Sequence, residues 1–413
     1  MSEVAPRPTR RPPSFTSLDT LPALFAPHHR SLVAHLAVVA EAMRAEASHD
    51  AAEVAAQMGT QRFGLYPYLV PRRHGGADTN ADDAVDVRAL VLIRDALGYA
   101  SPLADAIFAV QGLGSYPIVL AGTDAQHERY LPGVVRGDRI AGFGLTEPEA
   151  GSDVASMRCE ARPDGDGGWI LDGDKHFISN VPIAHHHVVF ARVVADDDAT
   201  LERLGAPSDP RRRITAFIVA HDAPGLTQHP QALSIHHPIG ALRLRGCRVP
   251  GEARVGAIGQ GFKLAMQTLD TFRISVGAAA NGMATAALED ALGFVRQRTQ
   301  FGRPLSDQQM VQGYLADMAT DLDAARLLVV RAAHQKDVSG ARASTEVAMA
   351  KMFATEAAQR IIDKAVQLHG GRGVLAETRV ENLYRDIRPL RIYEGTTEIQ
   401  RLIIARGLLR DDR

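Results

Sequence analysis

Residues 168–180, "GWILDGDKHFISN", form a short run rich in β-branched and aromatic residues, punctuated by Gly and Asp, inside a chain whose flanks read as helix. Three more runs of this kind follow: "HHVVFARVV" (186–194), "RITAFIVA" (213–220) and "ALRLRGCRVP" (241–250). Gly, Asp and Pro turn signals separate them. Together they predict an all-β unit, a sandwich or barrel, over residues 140–256. Between two of its strands, "ADDDATLERLGAPSDPRR" (195–212) reads as a surface loop.

On both sides the period changes to that of a helix. In "HRSLVAHLAVVAEAMRAEASH" (29–49), Leu32, Leu36, Val39 and Met43 share one face. The pattern continues through "DVRALVLIRDALGYA" (86–100) and "LADAIFAVQGLGSYPIVLAG" (103–122), and "TDAQHERYLPGVV" (123–135) closes it. Beyond the β unit, long helical patterns cover 262–300, 306–336 and 344–370. In the second, Met310, Tyr314, Met318 and Leu322 recur every four residues, and Ser306 is placed to cap the start. With the final "EIQRLIIARGLL" (398–409) these predict a four-helix bundle. The fold class is α+β: a tail over 1–20, an α-helical N-terminal domain over 21–139, a middle β domain over 140–256 and a C-terminal bundle over 257–413.

At 413 residues the chain exceeds one ordinary core, so two or three packed units are expected. Its 46 Lys and Arg against 48 Asp and Glu give no bulk attraction to nucleic acid or an anionic membrane. Cys159 and Cys247 alone exclude a disulfide framework and a cysteine-based zinc or iron–sulfur centre. No apolar run reaches the length of a membrane span. The opening "MSEVAPRPTRRPPSFTS" is rich in Pro and Arg and lacks a secretory core, so it reads as a disordered tail on a cytoplasmic protein.

Five passages carry the chemistry. "AGFGLTEPEAGSDVASM" (141–157) gathers Thr146, Gly151, Ser152 and Asp153 at a strand end, where small residues and hydroxyls admit a planar polar ring or a phosphate; an ordinary tight turn reads equally well. In "GDKHFISN" (173–180), Phe177 and Ser179 stand two apart, so on a strand an aromatic plate and a hydroxyl share a face. "RTQFGRPLSDQQ" (298–309) places Arg298, Gln300 and Phe301 at a helix end, an arrangement suited to a pyrophosphate, with Gln308 and Gln309 opening the next helix. "VQLHGGRGV" (366–374) holds Gly370, Gly371 and Gly373, which permit close approach or simply cap a helix. In "RIYEGTTEIQ" (391–400), Glu394 stands before a helix that Thr396 or Thr397 caps. A carboxylate there is either a helix-dipole partner or a general base.

In this order and at this separation, "LTEPEAGSD" (145–153) and "IYEGTTEIQRLIIAR" (392–406), with the passages between them, resemble the acyl-CoA dehydrogenase family of flavoproteins, over nearly the whole chain beyond the tail. The resemblance implies an FAD bound by Phe143, Leu145, Thr146, Gly151 and Ser152, with Ser152 also near the substrate's pantetheine. Phe177 stands where the family usually has Trp, and Ser179 replaces the usual Thr. Arg298, Gln300, Gln367, Gly370 and Gly371 would reach the FAD of a neighbouring subunit, which implies a homo-oligomer, a dimer or tetramer, and Phe301 and Gln309 are further cofactor-binding positions. Thr396 and Glu398 match positions beside the flavin. Asp270 and Arg273 match positions that hold CoA, and Tyr393 and Gly395 flank the thioester.

The resemblance makes Glu394 the base that takes the α-proton of an acyl-CoA while the β-hydride leaves to FAD, giving a trans-2-enoyl-CoA. An electron-transfer flavoprotein is the implied electron acceptor. The helix start should lower the pKa of Glu394 and exclusion of water should raise it, with burial expected to win. Phe272 occupies the place where some relatives carry the base on another helix. Ala106 and Ala109 are small at the acyl end, and Asp105 stands about where glutaryl-type relatives carry Arg, which disfavours a free dicarboxylate tail. Three alternatives stay open: an oxidase relative, one acting on carrier-protein thioesters, and a catalytically silent flavin-binding scaffold. A metal at His185, His186 and His187 is not expected, because consecutive strand residues alternate faces. "GQGFKL" (259–264) lacks the third glycine of a dinucleotide fingerprint.

Overall fold

The computed structural model describes residues 22–339 and 343–409, so the tail expected over 1–20 lies outside the described residues. The first helices are α1 (Pro27–Ala45), α2 (Ala51–Gln57), α3 (Val87–Ala100), α4 (Pro102–Ala121) and α5 (Asp124–Arg136). Asp50, Asp86, Ser101 and Thr123 start α2 to α5, each side chain accepting from a backbone N–H in the first turn. Leu32, Leu36, Val39 and Met43 line the buried face of α1, as their spacing requires. One expectation needs correcting: α4 is long and apolar enough to cross a membrane, yet 89% of its apolar window is buried inside the protein. It is a core helix packed between the long helix Gly261–Gln297 and the strand Ala141–Gly144.

Eight strands follow: β1 (Ala141–Gly144), β2 (Glu160–Pro163), β3 (Trp169–Ser179), β4 (His186–Val193), β5 (Ile214–Ala220), β6 (Leu226–Pro230), β7 (Ile239–Val249) and β8 (Arg254–Val255). They make one ladder in the order β6-β7-β3-β2-β4-β5-β8, with β1 added against β4. β4 and β5 are buried almost throughout, which explains their continuous apolar runs. Val188, Phe190, Ile214, Ala216 and Ile218 face the core shared with the helices. Val189, Ala191, Val193, Phe217 and Val219 face a second core with Trp169, Leu242 and Cys247. The segment over 195–212 is not all loop, because Asp197 caps a short helix, α6 (Asp198–Arg203). Simple alternation also fails at the end of β3. A register shift lies between Lys175 and Ile178, and Phe177 has φ 55°. Phe177 and Ser179 are therefore placed by a bulge rather than by the two-residue period.

The remaining helices are α7 (Gly261–Gln297), α8 (Gln309–Ser339), α9 (Ser344–His369), α10 (Arg379–Asp386) and α11 (Thr397–Leu408), with a small hairpin of β9 (Thr299–Gln300) and β10 (Arg303–Pro304) between α7 and α8. Ser306 does not cap α8; it sits in a tight 3-10 turn, Leu305–Asp307, before the helix. Met318 and Leu322 are buried as expected, but Met310 is exposed. The interior of α7, α8 and α9 is built on Ala278, Ala325, Ala332, Ala350 and Ala354, whose small side chains let the axes approach. α3 and α7 meet backbone to backbone. A Cβ on Gly98 would lie 2.3 Å from the carbonyl oxygen of Ala279, and one on Gly282 would lie 2.0 Å from that of Asp95. This contact brings Arg94 of α3 against Ser275 of α7.

Candidate active site

Glu394 and Gly395 form a left-handed corner, φ 52° and 91°, just before α11. Gly tolerates that region and Glu does not, so the corner must be held from outside. The hold is visible. Arg273 Nε donates to the carbonyl oxygen of Glu394 at 2.8 Å, and Lys351 Nζ donates to that of Gly395 at 2.8 Å. Gln400 Nε2 reaches the Gly395 oxygen at 2.9 Å. Thr396 closes the motif as N-cap, its hydroxyl oxygen accepting from Ile399 N.

The Glu394 side chain is 5% exposed and its Oε2 has no hydrogen-bond partner, while Oε1 lies 4.0 Å from Arg94 Nη1. Burial raises its pKa, against the opposing pull of Arg94, Arg273 and Lys351. Desolvation by the protein itself therefore outweighs the cations. Burial also brings Lys351 down to about 8. Arg94 is fully buried and grips Asp105 with Nε and Nη2 at 2.8 and 2.9 Å, while Nη1 donates to Ser275 Oγ at 3.0 Å. Asp105 is thus one half of a buried ion pair. Phe272, at the alternative base position, is buried edge-on against Tyr116. The Arg273 guanidinium is turned inward to the Glu394 carbonyl oxygen and Asp270 and is 7% exposed.

The loop over 144–153 is anchored by a buried pair that sequence reasoning missed. Glu147 accepts from Lys175 Nζ at 2.8 Å and from the N–H groups of Arg158 and Cys159, and Lys175 also reaches the Leu145 carbonyl oxygen. His176 N donates to the Thr146 carbonyl oxygen at 2.9 Å, so the bulge bearing Phe177 abuts this loop. Phe177 is 58% exposed, and Ser179 Oγ lies 2.7 Å from Nε2 of His237, whose pKa burial lowers to about 4. Gly151 and Ser152 are exposed, and a Cβ added at Gly151 would meet nothing within 4 Å. Phe143 packs edge-on against Phe190, and Leu145 is buried. A second set lies open on the bundle: Arg298, Gln300, Phe301, Gln309, Gln367, Gly370 and Gly371 are all exposed, and so is Glu398. Phe301 is 94% exposed at the tip of the β9–β10 hairpin.

Among the described residues, His28, His29 and Asp86 form the one cluster with metal-like spacing. His29 Nδ1 accepts from Ala26 N, which leaves its proton on Nε2 to donate to Asp86. That tautomer has no lone pair left for a metal. The cluster ties the start of α1 to the N-cap of α3.

The descriptions "Acyl-CoA dehydrogenase, N-terminal domain", "middle domain" and "C-terminal domain" match residues 26–138, 142–247 and 259–409 in turn. The chain belongs to the acyl-CoA dehydrogenase family. Among relatives of this oxidoreductase, a 3-(aryl)acrylate reductase of Clostridium sporogenes is 38% identical over 84% of this chain and 88% of its own. The caffeyl-CoA reductase-Etf complex subunit CarC of Acetobacterium woodii is 34% identical, with the same coverage of both chains. The structure of butyryl-CoA dehydrogenase from Megasphaera elsdenii superposes with a TM-score of 0.83, at 32% identity, over 94% of this chain and 99% of that one. An acyl-CoA dehydrogenase from Bacillus anthracis, solved with FAD, gives 0.81 at 28% identity over 94% of this chain and 68% of that one.

FAD is the cofactor of this acyl-CoA dehydrogenase-family chain, and the residues present fit it. Phe177 offers an exposed aromatic face next to the Thr146 loop, and Gly151, Gly370 and Gly371 each leave open space where a Cβ would stand. Arg94, Lys351, Gln400, Glu147 and Lys175 are the site residues that the sequence reading did not single out. One signal was available for Arg94, a lone cation inside the apolar run "ALVLIRDAL".

Proposed function

We propose that the protein dehydrogenates an acyl-CoA thioester to the trans-2-enoyl-CoA, with Glu394 as the base that removes the α-proton. The observation that carries this reading is the Glu394 carboxylate, buried at the corner before α11 with Oε2 unpartnered. A group in that setting binds a proton more readily than an exposed carboxylate, which suits a base working near neutral pH. Arg273, Lys351 and Gln400 hold the carbonyl groups of the corner, so the carboxylate is presented from a fixed backbone. Bound FAD would supply the hydride acceptor.

The same residues serve the reverse direction, with protonated Glu394 returning the proton to the α-carbon. The reductase names of two relatives fit that reversal. An electron-transfer flavoprotein is the proposed redox partner, in line with the Etf complex named for the Acetobacterium relative. A homo-oligomer, a dimer or tetramer, would bring the exposed hairpin and the α9 C-terminus of one copy to the flavin of another. A cytoplasmic location completes the proposal.

The test is anaerobic flavin bleaching by a panel of acyl-CoA thioesters. Glu394→Gln is expected to keep its FAD while the reduction rate falls by about 10²–10⁴-fold. A yellow wild-type protein that no acyl-CoA reduces, but a carrier-protein thioester does, would replace CoA as the substrate handle. Reduction by neither would sink the dehydrogenase reading.

A further inference from the structure

We propose that Arg94 is a positioning residue whose buried guanidinium faces Oε1 of Glu394 and holds that carboxylate in place as an ion pair. The inference rests on the dehydrogenase reading only in making that carboxylate a base; the contact between the two side chains stands by itself.

A buried guanidinium is costly unless its N–H groups find partners. Nε and Nη2 are satisfied by Asp105, at 2.8 and 2.9 Å, and that grip alone neutralises the charge. The Nη1 arm is free of that task. One of its hydrogens goes to Ser275 Oγ at 3.0 Å, and Ser275 in turn donates to the Phe272 carbonyl oxygen at 2.6 Å. The serine therefore has only lone pairs to offer Arg94, which fixes the arm. Oε1 of Glu394 lies 4.0 Å from Nη1, an ion-pair separation rather than a hydrogen bond.

The other cations around Glu394 do different work. Arg273 on α7 is engaged by the Glu394 carbonyl oxygen and Asp270, and Lys351 on α9 by the Gly395 carbonyl oxygen. They hold the backbone of the corner, and Arg94 on α3 faces its side chain. The anions are Asp105 on α4, already paired with Arg94, and Glu356 on α9, paired with Arg391. Oε2 of Glu394 is buried with no hydrogen-bond partner, so no other group competes with Arg94 for the carboxylate.

Three variants decide the matter: Arg94→Gln, Arg94→Lys, and the double Arg94→Gln/Asp105→Asn, which removes the buried pair as a unit and strands no charge. FAD-loaded protein without substrate is titrated by difference infrared spectroscopy, with Glu394→Gln identifying the Glu394 carboxyl band. The pH profile of kcat/KM is measured alongside. In Arg94→Gln and the double variant the Glu394 titration is expected to rise by about 1 pH unit or more. The loss of kcat/KM should be largest near pH 6 and recover toward about pH 9, with Arg94→Lys restoring part of it. An unmoved titration in the double variant, or a loss uniform across pH, overturns the proposal. A wild type that no thioester reduces refutes the dehydrogenase reading instead, and the infrared titration still decides whether Arg94 holds the carboxylate.

Discussion

His186 shows how one side chain carries a pH dependence of its own. It is buried in β4 against Tyr130, neither ring nitrogen has a partner, and burial lowers its pKa from 6.5 to about 3. Between those values the unfolded chain binds a proton that the fold refuses. Stability contributed by the neutral ring is therefore present above the upper value and is lost as pH falls through the window, at up to about 1.4 kcal/mol per pH unit. His186→Leu should remove that slope, so its urea midpoint relative to wild type should rise steadily as pH is lowered from about 6.5 toward 4. A constant difference across the range would show that the ring does not titrate this way. Single residues also mark the limit of reading the site from sequence. Gly395 and Thr396 frame Glu394 as a turn and a cap, but that local pattern left dipole partner and base open, and only the family resemblance favoured the base. Arg94 was not legible, because its partners Asp105, Ser275 and Glu394 come from three other parts of the chain, and no local pattern joins them.

Between elements, the closest fit is that of α3 on α7. Gly282→Ala would place a methyl group 2.0 Å from the Asp95 carbonyl oxygen, so the helices must part. We expect a loss of about 1–3 kcal/mol, read as a lower urea midpoint. FAD-loaded activity should fall further than stability, because Arg94 and Ser275 sit on the two helices that separate. An unchanged midpoint would mean that the contact is looser than it is drawn. Long elements were legible in the sequence because burial enforces their period: the face of α1 and the apolar runs of β4 and β5 follow directly from it. Short or irregular ones were not. α6 depends on the single cap Asp197 inside a polar stretch, and the bulge at Phe177 breaks the period used to read β3. Likewise, α8 begins three residues after Ser306, where a tight turn displaces the cap that the pattern implied.

For the whole molecule, β4 and β5 belong to two cores at once, so the β unit cannot melt without exposing residues that cover the helices. Calorimetry should therefore show the β unit and the N-terminal helices unfolding in one transition. Two resolved transitions for these parts would show that the shared strands do not couple them. The corner at Glu394 reaches across the chain in another sense. Its carbonyl oxygen is bonded by a residue 121 positions earlier, and that of Gly395 by one 44 positions earlier. During synthesis the ribosome releases Arg94, Arg273 and Lys351 before Glu394 and Gly395 emerge. Each waits as a cation with an incomplete set of partners until the corner leaves the exit tunnel and completes the site.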